Sequence, residues 1–90
     1  MTNPKGQGAT QTASPPWPGR YLRQPPVMQG DDVYKWQDRM HERGWKLQVD
    51  GYYGPKTEAV CVAFQEEKHL EVDGIVGPKT WAAAWTAPIT

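Results

Sequence analysis

Eleven residues written twice constrain this chain more than any other feature. Val49-Asp50-Gly51-Tyr52-Tyr53-Gly54-Pro55-Lys56-Thr57-Glu58-Ala59 recurs 23 positions later as Val72-Asp73-Gly74-Ile75-Val76-Gly77-Pro78-Lys79-Thr80-Trp81-Ala82, with eight of the eleven positions identical. Identity that dense in so short a window marks an internal repeat. Each copy carries the same physical instructions. Asp-Gly makes a tight turn, because glycine is free to take positive φ and aspartate can bond the backbone beyond it. Two residues of extended chain follow. Gly-Pro then starts a helix, with glycine as N-cap and proline at the first helical position, where its missing N–H costs nothing. The unit is a turn, a short extended piece and a helix start.

Around the two units the chain divides at about residue 27. Residues 1–26 form a Pro/Gly-rich tail and linker with few core-building residues. Its last third places Trp17, Tyr21 and Leu22 among five prolines. That pattern predicts an extended arm whose aromatics lie on the domain, the alternative being a disordered tether to a further domain. Residues 27–90 form the domain. A first helix is expected from about Asp32, with Val33, Trp36, Gln37 and Met40 at the spacing of one face, stopping at Gly44. A second is expected from Pro55 to about His69, with Ala59, Val60, Ala63 and Phe64 facing inward. A third starts at Pro78 and runs through Trp85 until Pro88 forbids more. The fold class is all-α: a compact three-helix domain with two short extended turn-to-helix repeats, preceded by a Pro-rich arm.

Charge and chemistry narrow the function. Ten basic and ten acidic residues cancel. Nucleic-acid modules carry a basic surplus, so no nucleic-acid partner is expected, and an anionic membrane gains little purchase. No run approaches the roughly eighteen apolar residues of a membrane span. Residues 1–12 lack the apolar core of a signal peptide, so a protein acting outside the cytoplasm needs another route there, or the chain is a fragment. Cys61 is the lone cysteine, and it sits mid-helix as a small hydrophobe. His41 and His69 lie near helix ends, where a positive charge suits the dipole. These residues make no metal set, no nucleophile–base pair and no phosphate cradle, so no catalytic residue, metal or cofactor is expected.

The remaining residues divide into scaffold and surplus. Gln37 and Gln65 each follow a large aromatic on a helix and must find partners, most simply loop backbone groups. Asp50, Gly51, Gly54 and Thr57 in one copy match Asp73, Gly74, Gly77 and Thr80 in the other as structural motif. Tyr53 and Val76 occupy one slot of the repeat and should point inward; Tyr52 and Ile75 should point outward. Tyr34, Trp45 and Tyr52 have weaker reasons to be buried, and flat aromatic faces stack on sugars and on peptide sides. They are the candidate ligand contacts, with hydrogen bonds from Arg39, Arg43 or Asp50.

The ordered set Gln29-Gly30, Asp32-Val33, Trp36-Gln37, Gly44, the first unit with Thr57, Phe64-Gln65, Leu70, and the second unit with Thr80-Trp81 resembles the three-helix peptidoglycan-binding domain found beside the catalytic domains of bacterial and phage cell-wall hydrolases. The resemblance covers about Val27 to Trp85. It departs at Trp36 and Met40, where the family usually has leucines, and at Ala83-Ala84-Trp85, where a leucine ending is usual. Trp85 is accordingly expected to fill core. The resemblance implies a non-catalytic monomer that binds bacterial peptidoglycan and targets a linked catalytic domain. The Pro-rich arm resembles linkers of actinobacteriophage endolysins, which implies synthesis in the host cytoplasm and action at the cell wall. The alternative is a protein-interaction or pro-domain-like module that docks on an enzyme.

Overall fold

The computed structural model describes residues 14–89. In order they form β1 (Met28–Gln29), α1 (Asp31–Glu42), β2 (Tyr52–Tyr53), α2 (Pro55–Glu67) and α3 (Pro78–Thr86). The three helices expected from the sequence are the three found. α1 opens with Asp31 and Asp32 in its first turn, where negative charge favours the positive end of the helix dipole. α2 and α3 both start at proline after a glycine in extended conformation, Gly54 at φ −102° and Gly77 at φ −95°.

Two helices end in the same device. The amide of Trp45 reaches back to the Met40 carbonyl at 3.0 Å, and that of Leu70 to the Gln65 carbonyl at 2.9 Å. The residue between helix and return bond must be left-handed in this motif. Gly44 supplies it after α1 at φ 101°, and His69 after α2 at φ 59°. α2 therefore stops at Glu67, short of the expected His69, because the chain has already turned left-handed there.

The two units are built identically around their glutamines. Gln37 lies fully buried on α1. Its Nε2 donates to the Tyr52 carbonyl at 2.9 Å and to Thr57 Oγ1 at 2.8 Å, and its Oε1 accepts from the amides of Asp50 at 3.0 Å and Gly51 at 2.7 Å. Gln65 on α2 repeats the set on the second unit, donating to the Ile75 carbonyl at 3.0 Å and Thr80 Oγ1 at 3.1 Å and accepting from Asp73 and Gly74 at 3.1 and 2.9 Å. The aspartates close the turns from inside: Asp50 Oδ1 accepts from the Tyr52 amide and Asp73 Oδ1 from the Ile75 amide. Gly51 and Gly74 take the positive φ that the turns need, 83° and 71°.

This arrangement sets the inner face of α2. The sequence pattern places Ala59, Val60, Ala63 and Phe64 inward; the buried residues are Thr57, Val60, Cys61, Phe64 and Gln65. Ala59 is exposed and Ala63 half-buried. The helix is rotated so that Thr57 meets Gln37 and Gln65 meets the second turn. Around this polar frame the core gathers Val33, Trp36 and Met40 from α1, Tyr53 and Val76 from the inward slots, Phe64 from α2 and Trp81 from α3. Trp36 stands edge-on to Phe64 at 6.5 Å. Trp85 is half-buried, its ring 4.8 Å from that of Trp81, so it packs against the core as expected.

Leu22 lies ahead of the expected domain start and is completely buried. Its amide and carbonyl both bond Val76, at 3.1 and 2.9 Å. Six residues later Met28 pairs antiparallel with Tyr53. Val76 and Tyr53 are the same slot in the two units, so the chain before α1 gives each unit an edge partner. The arm is further held by a two-bond Arg20–Asp32 pair at 2.7 and 2.9 Å, by Gln24 on Glu58 at 2.6 Å, and by the Trp81 indole N–H on the Pro15 carbonyl at 2.9 Å.

Two outcomes follow from these contacts. Replacing Gln37 by Ala takes the acceptor from two successive amides, those of Asp50 and of the buried Gly51, and an amide left unpaired inside the fold costs about 1–3 kcal/mol. The Gln37→Ala chain should therefore lose about 3 kcal/mol or more in urea unfolding, and Gln65→Ala a similar amount. The Arg20 hydrogen bond holds the Asp32 carboxyl below its ordinary value, against a smaller opposing effect of burial. A lowered folded pKa contributes stability above the unfolded value that disappears as pH falls through the folded one. Arg20→Gln should thus destabilise the chain near neutral pH, and the gap from wild type should close in acid titrations below the ordinary carboxylate range.

Candidate functional site

The six residues expected at a ligand separate sharply in the structure. Arg43 is buried, and its guanidinium donates to the carbonyls of Ala84 and Ala87, both at 3.0 Å, and of Pro88 at 2.8 Å. It also lies 5.0 Å from the centre of the Phe64 ring. Burial, and then the neighbouring charge of Arg39, push its pKa down from the ordinary arginine value. Arg39 Nε donates to the Ala84 carbonyl at 2.8 Å. Arg39 in the last turn of α1 and Arg43 at its C-cap thus satisfy the open carbonyls at the C-terminus of α3, where cations are favoured. Their donors are engaged inside the fold, where the sequence expected them free for a ligand.

Trp45 is half-buried against the core. Asp50 is held in its turn by Gln37 and the Tyr52 amide. Tyr52 and Tyr34 remain, 49% and 47% exposed. They flank the first turn: a side chain at Gly51 would come within 3.9 Å of Tyr34 Cβ. The first unit therefore presents two tyrosines to solvent.

The second unit presents a groove of about 520 Å³. Leu70, Ile75 and Pro78 give it apolar lining, and His69, Glu71 and Lys79 give it charge and polarity. None of these six was among the expected ligand contacts. The signal available in the sequence was the match of Lys79 to Lys56 and of Ile75 to Tyr52 across the repeat, but a concave surface depends on what packs beside the unit.

The buried groups are scaffold in character. The Cys61 thiol is fully buried and pushed up to about 12, chiefly by desolvation, so almost no thiolate exists at neutral pH. The Tyr53 phenol is raised by burial and donates to the Gly74 carbonyl at 2.7 Å, joining the first unit to the second turn. Among the described residues no helix is long and apolar enough to cross a membrane.

Removing the Arg43 cap should show its role directly. Hydrogen bonds to charged groups contribute about 1.5–3 kcal/mol each when their partners are otherwise buried. Arg43→Ala should lower the unfolding free energy by about 2 kcal/mol or more. Arg43→Lys should recover only part, because one ammonium cannot span the carbonyls that a planar fork reaches. Thermal and urea denaturation of both variants checks this.

Comparison with known proteins places these features. A sequence model of the family described as "Putative peptidoglycan binding domain" matches residues 29–84. The crystal structure of the Burkholderia AP3 phage endolysin is 37% identical with a TM-score of 0.66, over 72% of this chain and 24% of that one. A fused Zn-dependent amidase/peptidase/peptidoglycan-binding domain-containing protein from Clostridium acetobutylicum is 29% identical with a TM-score of 0.64, over 72% of this chain and 31% of that one. The SleB N-terminal domain is 32% identical with a TM-score of 0.65, over 72% of this chain and 88% of that domain. No curated protein sequence matches the chain. The chain spans about a quarter of the endolysin and about a third of the fused protein. The arm up to Met28 lies ahead of the matched residues.

Proposed function

We propose that this chain, which belongs to the peptidoglycan-binding domain family, is a non-catalytic module that attaches a linked lytic enzyme to the bacterial cell wall. The observation that carries this reading is the family match over residues 29–84, which takes in both units and all but the last two residues of the three helices. The likeness to an endolysin and to a fused amidase supports a cell-wall hydrolase as the parent protein, and a phage lysin acting in host lysis is the form we favour. In that setting the chain is made in the host cytoplasm and works as a monomer at the wall, with neither nucleic acid nor membrane as partner.

A module of this size binds modestly. Its gain comes from rebinding on a lattice and from raising the effective concentration of the tethered enzyme. Tyr34 and Tyr52 supply stacking faces for a sugar ring, the contact that exposed aromatics make best. Asp50, which accepts from the Tyr52 amide, holds the turn that presents Tyr52, while Arg39 and Arg43 cap α3 and Trp45 packs on the core.

Co-sedimentation with insoluble sacculi tests the reading. The purified chain should be retained on sacculi stripped of secondary polymers, from an actinobacterium and from an unrelated species, without clearing them. The double variant Tyr34→Ala/Tyr52→Ala should remain folded and be retained several-fold less, in line with about 1 kcal/mol or so for each stacking face lost. Failure of the wild-type chain to sediment with any wall would reject attachment and favour docking on an enzyme.

A further inference from the structure

We infer that the arm ahead of the domain is part of the binding site: Tyr21 forms one wall of the groove at the second unit, and the groove takes a short peptide bearing charges of both signs. Within the function proposed above, on which this inference rests, that peptide is the stem peptide of the wall.

The position of Tyr21 is fixed from several sides. Leu22, the next residue, is buried and bonded twice to Val76. Arg20, the residue before, is clamped on Asp32. Trp17 meets the Tyr21 ring edge-on at 5.6 Å. The ring rests on Gly77, where an added Cβ would stand 2.8 Å from Tyr21 Cε2 and 3.2 Å from Cδ2. Despite these contacts Tyr21 is 55% exposed, and it lines the groove. An aromatic face held in place but open to solvent binds without a cost of ordering.

The first unit provides the contrast. Val27 precedes Met28 as Tyr21 precedes Leu22, and the glycine equivalent to Gly77 is Gly54. An added Cβ at Gly54 meets nothing within 4 Å. Two units of nearly identical sequence are thus made unequal by the arm, which walls the second and leaves the first open.

The lining selects the occupant. A groove of about 520 Å³ has the volume of ordinary small-ligand sites. Its apolar lining suits small side chains. The side chains of Glu71 and Lys79 make no ion pair within the described residues. A neutral sugar would leave both charges without a counterpart, whereas a stem peptide offers an ammonium from its diamino acid and a terminal carboxylate.

The test uses the full chain, labelled with nitrogen-15, and two probes made from sacculi: soluble stem peptides released by an amidase, and the peptide-free glycan strands. Stem peptides should shift the amides of Tyr21, Ile75 and Lys79. Affinity should fall about tenfold or more in Tyr21→Ala and Gly77→Ala, a loss of about 1.4 kcal/mol. It should stay within about twofold in Tyr21→Phe and Gly54→Ala. Gly77 and Gly54 have the same extended backbone, so the two alanines differ only in meeting the Tyr21 ring. Thermal melts confirm that each variant is folded. Undiminished peptide binding by Tyr21→Ala or by Gly77→Ala overturns the inference, as do shifts confined to other residues or glycan strands that shift the groove in place of peptides. Wild-type chain that sediments with sacculi yet binds no stem peptide overturns it alone and leaves wall attachment standing. Wild-type chain that neither sediments nor binds removes both.

Discussion

Each turn unit in this domain hangs on one glutamine. Its amide group mimics a strand edge: the oxygen accepts from two successive backbone amides and the nitrogen donates to the carbonyl that follows. A loop so held needs neither a disulfide nor a metal, which matters in a chain with one cysteine. The loss of these bonds would leave two successive backbone amides unpaired, so each glutamine fixes its helix and its loop as one piece. The rotation of α2, the inward threonines and the shared slot of Tyr53 and Val76 all follow from satisfying those two amides.

With the loops rigid, the extended pieces become usable edges, and the arm exploits both. Leu22 fills the core beside Val76 and Met28 pairs with Tyr53. The packed fold therefore begins before the residues matched by the family. Arg39 and Arg43, at the end of α1, cap α3, which ends in an extended residue with no basic side chain of its own in the last turn. Helix α3 is short and would fray without that cap.

Much of this was legible in the sequence because its information is local. The duplicated Asp-Gly and Gly-Pro pairs specify turn, extended piece and helix start within a few residues, and both glutamines announce unmet hydrogen bonds. The inner face of α2 was not legible. Alanine scores as apolar and threonine as polar, yet Thr57 faces in because Gln37, twenty residues away, needs an acceptor. Arg39 and Arg43 read as donors to a ligand for the same reason: the carbonyls they serve lie more than forty positions downstream. In the arm, a single leucine among prolines carries no periodicity, and only the cluster of Trp17 and Tyr21 beside it hinted at packing.

The route of the arm has a mechanical consequence. A pull arriving from the N-terminal side meets the Pro15–Trp81 bond first, then the Arg20–Asp32 clamp and the Leu22–Val76 bridge, before it reaches the first residue of α1 along the chain. Those same attachments position Tyr21. Tension along the arm would act on the supports of the Tyr21 ring before it acts on the rest of the fold, so one set of bonds both holds that ring and carries the load.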